Sequence, residues 1–428
     1  MLPANPWPAP RPGVPVRGHV IIPGSKSLTN RHLFLAALAD SPTRLTGVLR
    51  SRDTDLMLEA LSRLGATVTA TGTDVTIHPA PLRPADIDVG LAGTVFRFLA
   101  ALAPLAGEIR FTGDEAMARR PIAPLLDALS SLGATVTAPD GASLPLTITG
   151  PVRGGRVLLD SSASSQFLSA LLLAAPRYPG GLSIELTGAV PSGPHVDMTV
   201  GLLRAAGATV ERTERGWRVA EGPLHPGDIE VEPDLSNAAP FLAAAAVTGG
   251  EVSTVWPAAT TQPGALFPEI LERMGATCRR EGGNLVVTGG RLTGIDSIDM
   301  SAAGELVPTL AAVAACASSP TRITGVAHLR GHETDRLAAL ETELTRAGVG
   351  ARATDDGLII TPARLRPAII SSYEDHRMAT FGAILGLVQD GIMVEDIACT
   401  SKTLPTFPQL WMNLVEGSSE ARSSEAGS

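Results

Sequence analysis

LSRLGATV, residues 61–68, is the stretch that decides the fold, because related stretches return along the chain. They are LSSLGATV at 129–136, LLRAAGATV at 202–210, LERMGATC at 271–278 and ELTRAGVG at 343–350. The period is about 70 residues, and self-similarity at a fixed period indicates a repeated supersecondary unit. The first glycine of each stretch ends an amphipathic segment, which is where a helix commonly stops.

A helix rich in alanine and leucine is predicted before each of these stretches and once more near the end of the chain. The six helical stretches are LFLAALA from Leu33, FRFLAALA from Phe96, SQFLSALLLAA from Ser165, APFLAAAAV from Ala239, LVPTLAAVAACA from Leu306 and RMATFGAILGLV from Arg377. The last has no LSRLGATV-like stretch after it. We therefore expect six repeats, the sixth cut short or closed by the N-terminal segment.

Each repeat is predicted to run helix, strand, helix, strand, strand. In the first repeat the helices cover 27–39 and 53–64, and a short strand covers 45–49. TVTAT and DVTIH alternate as a hairpin around Gly72. Helices and strands at this spacing predict an α/β architecture.

The bulk composition excludes several classes of protein. The chain has 428 residues, of which 44% are hydrophobic, and a net charge of −9. That charge disfavours a broad surface for nucleic acid or an anionic membrane. The longest apolar run is too short to span a bilayer. The first residues, MLPANPWPAPRPG, are not typical of a secretory signal.

Cysteine and the C-terminal residues give two further expectations. Cys278, Cys316 and Cys399 are too few and too scattered for a disulfide framework or a zinc site, which favours a reducing cytoplasm. The tail at about 417–428, GSSEARSSEAGS, has the composition of a disordered segment.

Lysine occurs only at positions 26 and 402 among 34 basic residues. Base composition of the gene explains the general depletion of lysine, but not the two that survive. An ammonium is compact where a guanidinium is a broad planar fork. We therefore expect Lys26 and Lys402 to lie where a fork does not fit, facing an active site.

Several motifs stand where a predicted helix begins, and free backbone N–H groups there bind anions. The motifs of the N-terminal half are PGSKSLTNR at 23–31, GLAGTVFR at 90–97, MARRPI at 117–122, DSSASSQF at 160–167 and PSGPH at 191–195. Those of the C-terminal half are GELVP at 304–308, HETDR at 332–336, DHRMA at 375–379 and CTSKTLP at 399–405. Lysine, arginine and serine at so many helix starts point to a phosphorylated or carboxylated substrate.

These strings, in this order and over essentially the whole chain, resemble the 5-enolpyruvylshikimate 3-phosphate synthase family of enolpyruvyl transferases. The resemblance implies a two-domain α/β fold of six repeated helix and strand units, here called repeats, with three per domain around an interdomain cleft. It implies an N-terminal domain at 25–232 that binds shikimate 3-phosphate. The second domain is formed by 1–24 and 233–428, with the N-terminal strand joining the C-terminal half.

The resemblance also implies a reaction and its residues. The enolpyruvyl group of phosphoenolpyruvate moves to the 5-hydroxyl of shikimate 3-phosphate and phosphate leaves, in the pathway to chorismate and the aromatic amino acids. Shikimate 3-phosphate is bound by Lys26, Ser27, Arg31, Ser164, Ser165, Gln166, Ser192, Glu305 and His332. Phosphoenolpyruvate is bound by Lys26, Gly93, Arg120, Gln166, Arg336, Arg377 and Lys402.

Glu305 is expected to accept the proton of the hydroxyl and Glu333 to protonate the methylene carbon, with Lys26 contacting both substrates. Closure of the two halves is expected to exclude water. His195, His328 and His332 replace other residues of the family pattern, and so does Leu91.

The resemblance implies no metal or organic cofactor, no nucleic acid or membrane partner, and a cytoplasmic monomer that is a target of the herbicide glyphosate. The nearest alternative is the transferase that acts on UDP-N-acetylglucosamine. Its reactive cysteine lies in the N-terminal half, where this chain has none. A non-catalytic relative would lose Glu305 or Glu333, and both are present. An RNA-processing relative does not suit the acidic net charge.

Overall fold

A computed structural model describes residues 3–138 and 144–425, with side chains to Ser418. The chain folds into two compact units, each with its own hydrophobic core. The first unit is Gly24–Glu232, and the second unit combines Met1–Pro23 with Pro233–Ser428. The chain passes from one unit to the other at Pro23–Gly24 and at Glu232–Pro233.

Six inner helices form the centre of the repeats, three in each unit of the part that the structure describes. They are Lys26–Ala37, Gly93–Leu102, Ser165–Ala174, Leu235–Thr248, Val307–Ala315 and His376–Gly386. Almost all of their residues are buried, which suits their alanine- and leucine-rich sequences. Ser25, Ser164, Asp234 and Asp375 cap four of them by accepting a hydrogen bond from a backbone N–H two or three residues on.

Outer helices follow the inner ones in every repeat. They are Arg52–Arg63, Ala123–Ser131, Gly193–Ala205, Phe267–Arg273, Arg336–Arg346 and Phe407–Glu425. The repeated glycine follows the first five, and in each case its φ lies between +90° and +117°. A residue with a Cβ rarely adopts this left-handed backbone, so the sequence repeats glycine there.

The strands form six sheets in the described residues, five with four strands and one with three. The second strands of the repeats are Thr43–Thr46, Glu108–Thr112, Leu182–Leu186, Glu251–Val255, Thr321–Thr324 and Ile392–Val394. The hairpins of the first five are Thr67–Thr71 with Asp74–His78, Thr135–Thr137 with Leu146–Thr149, Val210–Thr213 with Gly216–Val219, Thr277–Glu281 with Asn284–Thr288, and Gly350–Ala353 with Leu358–Thr361. The predicted α/β class and the first hairpin are confirmed.

The predicted order of elements within a repeat was incomplete, because each sheet has an additional leading strand. The leading strands are Ile229–Glu230, Ala85–Asp88, Gly155–Leu159, Arg17–His19, Ile298–Asp299 and Ala368–Ile370. Each pairs in parallel with the second strand of its repeat. Most are short and carry charged residues, so their sequences lack the alternation that identifies a strand.

The leading strands also show how the two units share the chain. The first sheet is completed by Ile229–Glu230, from the end of the first unit. The fourth sheet is completed by Arg17–His19, so this N-terminal strand lies in the second unit. Trp7–Pro8 pairs antiparallel with Ile392–Val394 and closes the shortened sixth repeat.

The C-terminal tail differs from its prediction. The last helix continues to Glu425, so residues 417–425 are helical rather than disordered, and 426–428 lie outside the described residues. The Ser418 hydroxyl donates to the carbonyls of Leu414 and Arg17, which ties the helix to the N-terminal strand.

Candidate active site

Lys26 is the first residue of an inner helix in the first unit, and Ser25 caps that helix. Its ammonium lies 3.6 Å from the carboxylate of Asp53, which is buried. The lysine side chain itself is 19% exposed, so its charge reaches solvent while its partner does not. Ser27 follows on the same turn and is half-buried.

Arg31 is a buried cation held by neutral oxygens. Its Nε donates to the hydroxyl of Thr199 at 2.8 Å, and Nη1 donates to the carbonyl of Ser27 at 3.0 Å. Nη2 donates to Ser169 and to the carbonyl of His195. Burial lowers the pKa of the Arg31 guanidinium to about 9. An anion that bound here would supply the missing countercharge.

Gly93 and Arg120 meet although they are distant in sequence. A Cβ at Gly93 would lie 2.4 Å from Nη1 of Arg120, so the guanidinium occupies the space that the glycine leaves. Gly93 is expected to contact phosphoenolpyruvate, and in the structure the guanidinium of Arg120 lies directly beside it. Arg120 lies in the segment between the short helix Glu115–Ala118 and the outer helix Ala123–Ser131, rather than at a helix mouth. Its Nε is buried and, among the described residues, has no hydrogen-bond partner.

Gln166 is oriented by an arginine that the sequence left without a role. Nη1 of Arg97 donates to Oε1 of Gln166 at 2.8 Å, and Gln166 donates to the hydroxyl of Thr94 at 3.2 Å. The Ser164 hydroxyl accepts from the backbone N–H of Gln166, which makes Ser164 a helix cap, and Ser165 is buried. The only feature of the sequence that could have indicated a role for Arg97 is its position four residues after Gly93, on the same face of the helix.

Ser192 precedes the outer helix Gly193–Ala205 and has φ +53° and ψ +50°. This left-handed backbone is uncommon for serine and often marks a functional position. His195 follows in the first turn, and its carbonyl accepts hydrogen bonds from Arg31 and from the hydroxyl of Thr199.

In the second unit, Asp375 and Arg336 form a buried ion pair. Nε of Arg336 donates to Oδ2 of Asp375 at 2.7 Å, and Nη2 donates to Oδ1 at 3.1 Å. Asp375 also caps its inner helix by accepting from the N–H of Arg377. Burial alone would lower the pKa of Arg336, but Asp375 and Glu333 outweigh it and raise that pKa. This fork-to-fork geometry is the strong form of the arginine–carboxylate pair.

Glu333 lies between two cations. Its Oε1 accepts from the ammonium of Lys402 at 2.5 Å, and its Oε2 accepts from Nη2 of Arg336 at 3.1 Å. Lys402 is only 4% exposed and ends the 3₁₀ helix Ile397–Lys402. Two charge-assisted hydrogen bonds suit the carboxylate form of Glu333 rather than the acid.

Glu305 lies on the 3₁₀ turn Gly304–Leu306, just before the inner helix Val307–Ala315. It accepts from the hydroxyl of Ser236 at 3.4 Å. Nη1 of Arg377 donates to the carbonyl of the same serine at 2.8 Å. Ser236 therefore lies against both charged groups.

His328 and His332 lie beside these charges, with ring centroids 5.6 Å apart. Nδ1 of His332 is 3.1 Å from Nη1 of Arg336. Burial lowers the pKa of His328, while Glu305 raises it and Arg336 lowers it further. The outer helix was expected to begin near His332, but it begins at Arg336 because Asp335 caps it.

The described part of the chain has neither a metal-binding cluster nor a membrane-spanning helix. No three or more histidine, cysteine, aspartate or glutamate side chains are grouped so that they would hold a metal ion. None of the described helices is long and apolar enough to cross a membrane.

Comparison with known proteins identifies relatives along almost the whole chain. A family model described as EPSP synthase (3-phosphoshikimate 1-carboxyvinyltransferase) matches residues 10–411. A Kocuria rhizophila protein named 3-phosphoshikimate 1-carboxyvinyltransferase is 52% identical over 429 residues, with 96% of each chain covered. A Mycobacterium ulcerans protein of the same name is 51% identical over 431 residues, covering 97% of this chain and 99% of that relative.

Solved structures agree with this result. An EPSP synthase from Acinetobacter baumannii has a TM-score of 0.78 at 28% identity, covering 94% of this chain and 97% of that one. The enolpyruvyl transferase NikO from Streptomyces tendae has a TM-score of 0.76 at 19% identity, covering 94% and 96%, which shows the fold alone. The expected two-domain enolpyruvyl transferase fold is confirmed.

Proposed function

The chain belongs to the EPSP synthase family, and from this premise we propose that it transfers the enolpyruvyl group of phosphoenolpyruvate to the 5-hydroxyl of shikimate 3-phosphate. Phosphate is released by cleavage of a C–O bond. The protein is then a transferase of the shikimate pathway, which leads to chorismate and the aromatic amino acids. Identity above 50% over nearly the full length of two relatives of that name supports this activity.

The first unit supplies most of the groups proposed for shikimate 3-phosphate, and the second unit supplies Glu305 and His332. Ser164, Ser165, Gln166 and Ser192 stand at helix starts, where hydroxyl and backbone donors suit a phosphate. Arg31 is buried with neutral partners, so a dianion would relieve the electrostatic cost of its burial.

The second unit supplies most of the cations proposed for phosphoenolpyruvate. Arg336, Arg377 and Lys402 are all buried, and a carboxylate and a phosphate on three carbons need several charged donors. Arg120 and Gly93 of the first unit are assigned to the same substrate from their motif.

The observation that carries the mechanism is Glu333 held by Lys402 and Arg336. An incoming anion competes with Glu333 for these two cations. Once it takes them, Glu333 loses the charges that stabilise its ionised form and can carry a proton. Substrate binding itself thus prepares the acid that protonates the methylene carbon.

Glu305 is the proposed acceptor for the hydroxyl proton, while Lys26 stabilises charge that develops on both substrates. The hydroxyl oxygen then bonds to the neighbouring carbon and gives a tetrahedral adduct. Loss of a proton from the new methyl group and of phosphate completes the transfer. His332 is assigned to shikimate 3-phosphate by its position in the motif.

Three further properties are proposed from the same family assignment. They are a cytoplasmic location, a monomeric state and inhibition by glyphosate.

The direct test is turnover by the purified protein. With shikimate 3-phosphate and phosphoenolpyruvate we expect one phosphate released for each enol ether formed, measured by phosphorus NMR. UDP-N-acetylglucosamine should give no phosphate release. The Glu333→Gln variant should lose turnover while still binding both substrates. Absence of phosphate release from the wild-type protein would overturn the proposal.

A further inference from the structure

The segment that leads into the last inner helix has an unusual backbone. Tyr373 and Glu374 both have φ +56°. They are the only neighbouring non-glycine residues with positive φ in the described chain. Side chains with a Cβ disfavour this conformation, so the surroundings must hold it in place.

A buried carboxylate holds this segment from a neighbouring helix. Glu343, on the outer helix Arg336–Arg346, has a side chain that is 0% exposed. Its Oε1 accepts from the hydroxyl of Tyr373 at 2.7 Å. Its Oε2 accepts from the N–H of Ser371 at 3.2 Å and from Arg346 at 2.8 Å. One carboxylate therefore binds the segment at two points.

Comparison of the repeats shows that the fold does not require an acid at this position. Glu343 lies five residues before the repeated glycine. The equivalent residues in the other four repeats are Ala60, Ala128, Leu202 and Ile270. Those residues are apolar, and three of them are buried in the cores. The carboxylate is an addition to one repeat, and its hydrogen bonds to Tyr373, Ser371 and Arg346 must offset the desolvation cost of burying it.

The residue that follows the segment is Asp375. Its carboxylate holds Arg336 by two hydrogen bonds and accepts from the N–H of Arg377. A shift of residues 371–374 would therefore move the carboxylate that holds the guanidinium of Arg336 and that caps the helix on which Arg377 lies.

We propose that Glu343 and Tyr373 are positioning residues, which fix residues 371–374 and thereby hold Asp375, Arg336 and Arg377 in place for the anionic substrate. This inference rests on the proposed function. Burial and the hydrogen bond to Glu343 raise the pKa of Tyr373 to about 12. The hydroxyl consequently remains a donor throughout the neutral range.

The kinetic test uses Tyr373→Phe, Glu343→Gln and the double variant. We expect the KM for phosphoenolpyruvate to rise about tenfold in each single variant, because Tyr373→Phe removes one donor to the carboxylate and Glu343→Gln replaces one of its accepting oxygens by an NH2 group. The KM for shikimate 3-phosphate and kcat should stay within about twofold. The double variant should be no worse than the poorer single variant, since both changes break one unit.

Tyr178→Phe is the matched control, because Tyr178 also donates a buried hydrogen bond but lies in the first unit. It should leave the KM for phosphoenolpyruvate unchanged. If Tyr373→Phe leaves that KM unchanged, or raises both KM values equally, the positioning role is overturned.

A second measurement does not depend on turnover. Hydrogen exchange of the peptide covering 371–377 should become several-fold faster in Tyr373→Phe and Glu343→Gln, but not in Tyr178→Phe. Unchanged exchange would refute the proposed restraint. A wild-type protein without turnover would overturn the proposed function, while this measurement would still decide whether Glu343 restrains the segment.

Discussion

Arg31 in the first unit and Arg336 in the second are both buried arginines, but their surroundings differ. Arg31 is held by hydroxyls and carbonyls, and burial lowers its pKa to about 9. Arg336 is held by Asp375 and Glu333, and its pKa is raised. The first arginine carries a charge that its protein partners do not neutralise, whereas the second is already neutralised.

This difference predicts two ways of binding an anion. Around Arg31 a phosphate adds a missing charge, so the site is ready before the ligand arrives. Around Arg336 a ligand must exchange with Glu333, so binding releases a carboxylate that can take part in proton transfer. Binding and catalysis are therefore coupled more closely in the second unit.

The largest effects should come from the two lysines. Lys402→Arg should lower kcat/KM about a thousandfold, because Lys402 is buried and 2.5 Å from Glu333, which leaves no room for a guanidinium. Lys26→Arg should lower it about a hundredfold, since Lys26 is partly exposed and 3.6 Å from Asp53. Steady-state kinetics of both variants and of the wild-type protein measures these two losses of kcat/KM.

Arg119→Lys provides the control for this exchange, because Arg119 pairs with Glu115 on the surface. It should have normal kinetics, and circular dichroism should show all three variants folded. Normal turnover in both lysine variants would mean that these lysines survived by chance.

The two arginines should respond differently when a partner is removed. Asp375→Asn should destabilise the second unit by about 3 kcal/mol, because it takes a countercharge from buried Arg336. Thr199→Val should destabilise the first unit by about 1 kcal/mol, because Arg31 loses only a neutral acceptor. Hydrogen exchange of peptides from each unit, followed by mass spectrometry, measures both changes. An equal loss of free energy of unfolding in the two variants would contradict the distinction between the two arginines.

A smaller effect is expected at Gly93. Gly93→Ala places a methyl 2.4 Å from Nη1 of Arg120 and should displace the guanidinium. We expect about a tenfold rise in the KM for phosphoenolpyruvate, with little change for shikimate 3-phosphate. Gly201→Ala is the control, since a Cβ there meets no atom within 4 Å and alanine favours a helix. If the two variants behave alike, Arg120 does not bind phosphoenolpyruvate.

Much of the fold could be predicted because it is repeated. The helices and hairpins have local periodicity, and the recurring glycine marks the same left-handed turn five times. Local patterns could not predict the leading strands, and only the family resemblance implied the N-terminal one, since Arg17–His19 and Ile229–Glu230 are strands only because a distant second strand pairs with them. Pairing over such separations leaves no local pattern.

The site, too, combines residues that local sequence motifs predict with contacts that only the folded chain creates. Helix-start motifs made Lys26, Glu333 and Lys402 candidates, but no motif indicated that Glu333 would lie between Lys402 and Arg336. Asp53 and Asp375 received no role from the sequence, although each holds a proposed ligand-binding cation. An acid beside a helix start has an ordinary explanation as a cap, so only the folded geometry identifies its partner.

The shared leading strands have a consequence for synthesis on the ribosome. Arg17–His19 emerges early, but its partner Glu251–Val255 follows more than two hundred residues later. At roughly 5–20 residues per second, the N-terminal strand waits on the order of 10–50 s before its sheet can form. During that interval the first unit can complete its own sheets. The sheet of the first repeat is completed last, because its leading strand is Ile229–Glu230. The nascent chain therefore completes the fourth sheet, in the second unit, with residues made before the whole of the first unit.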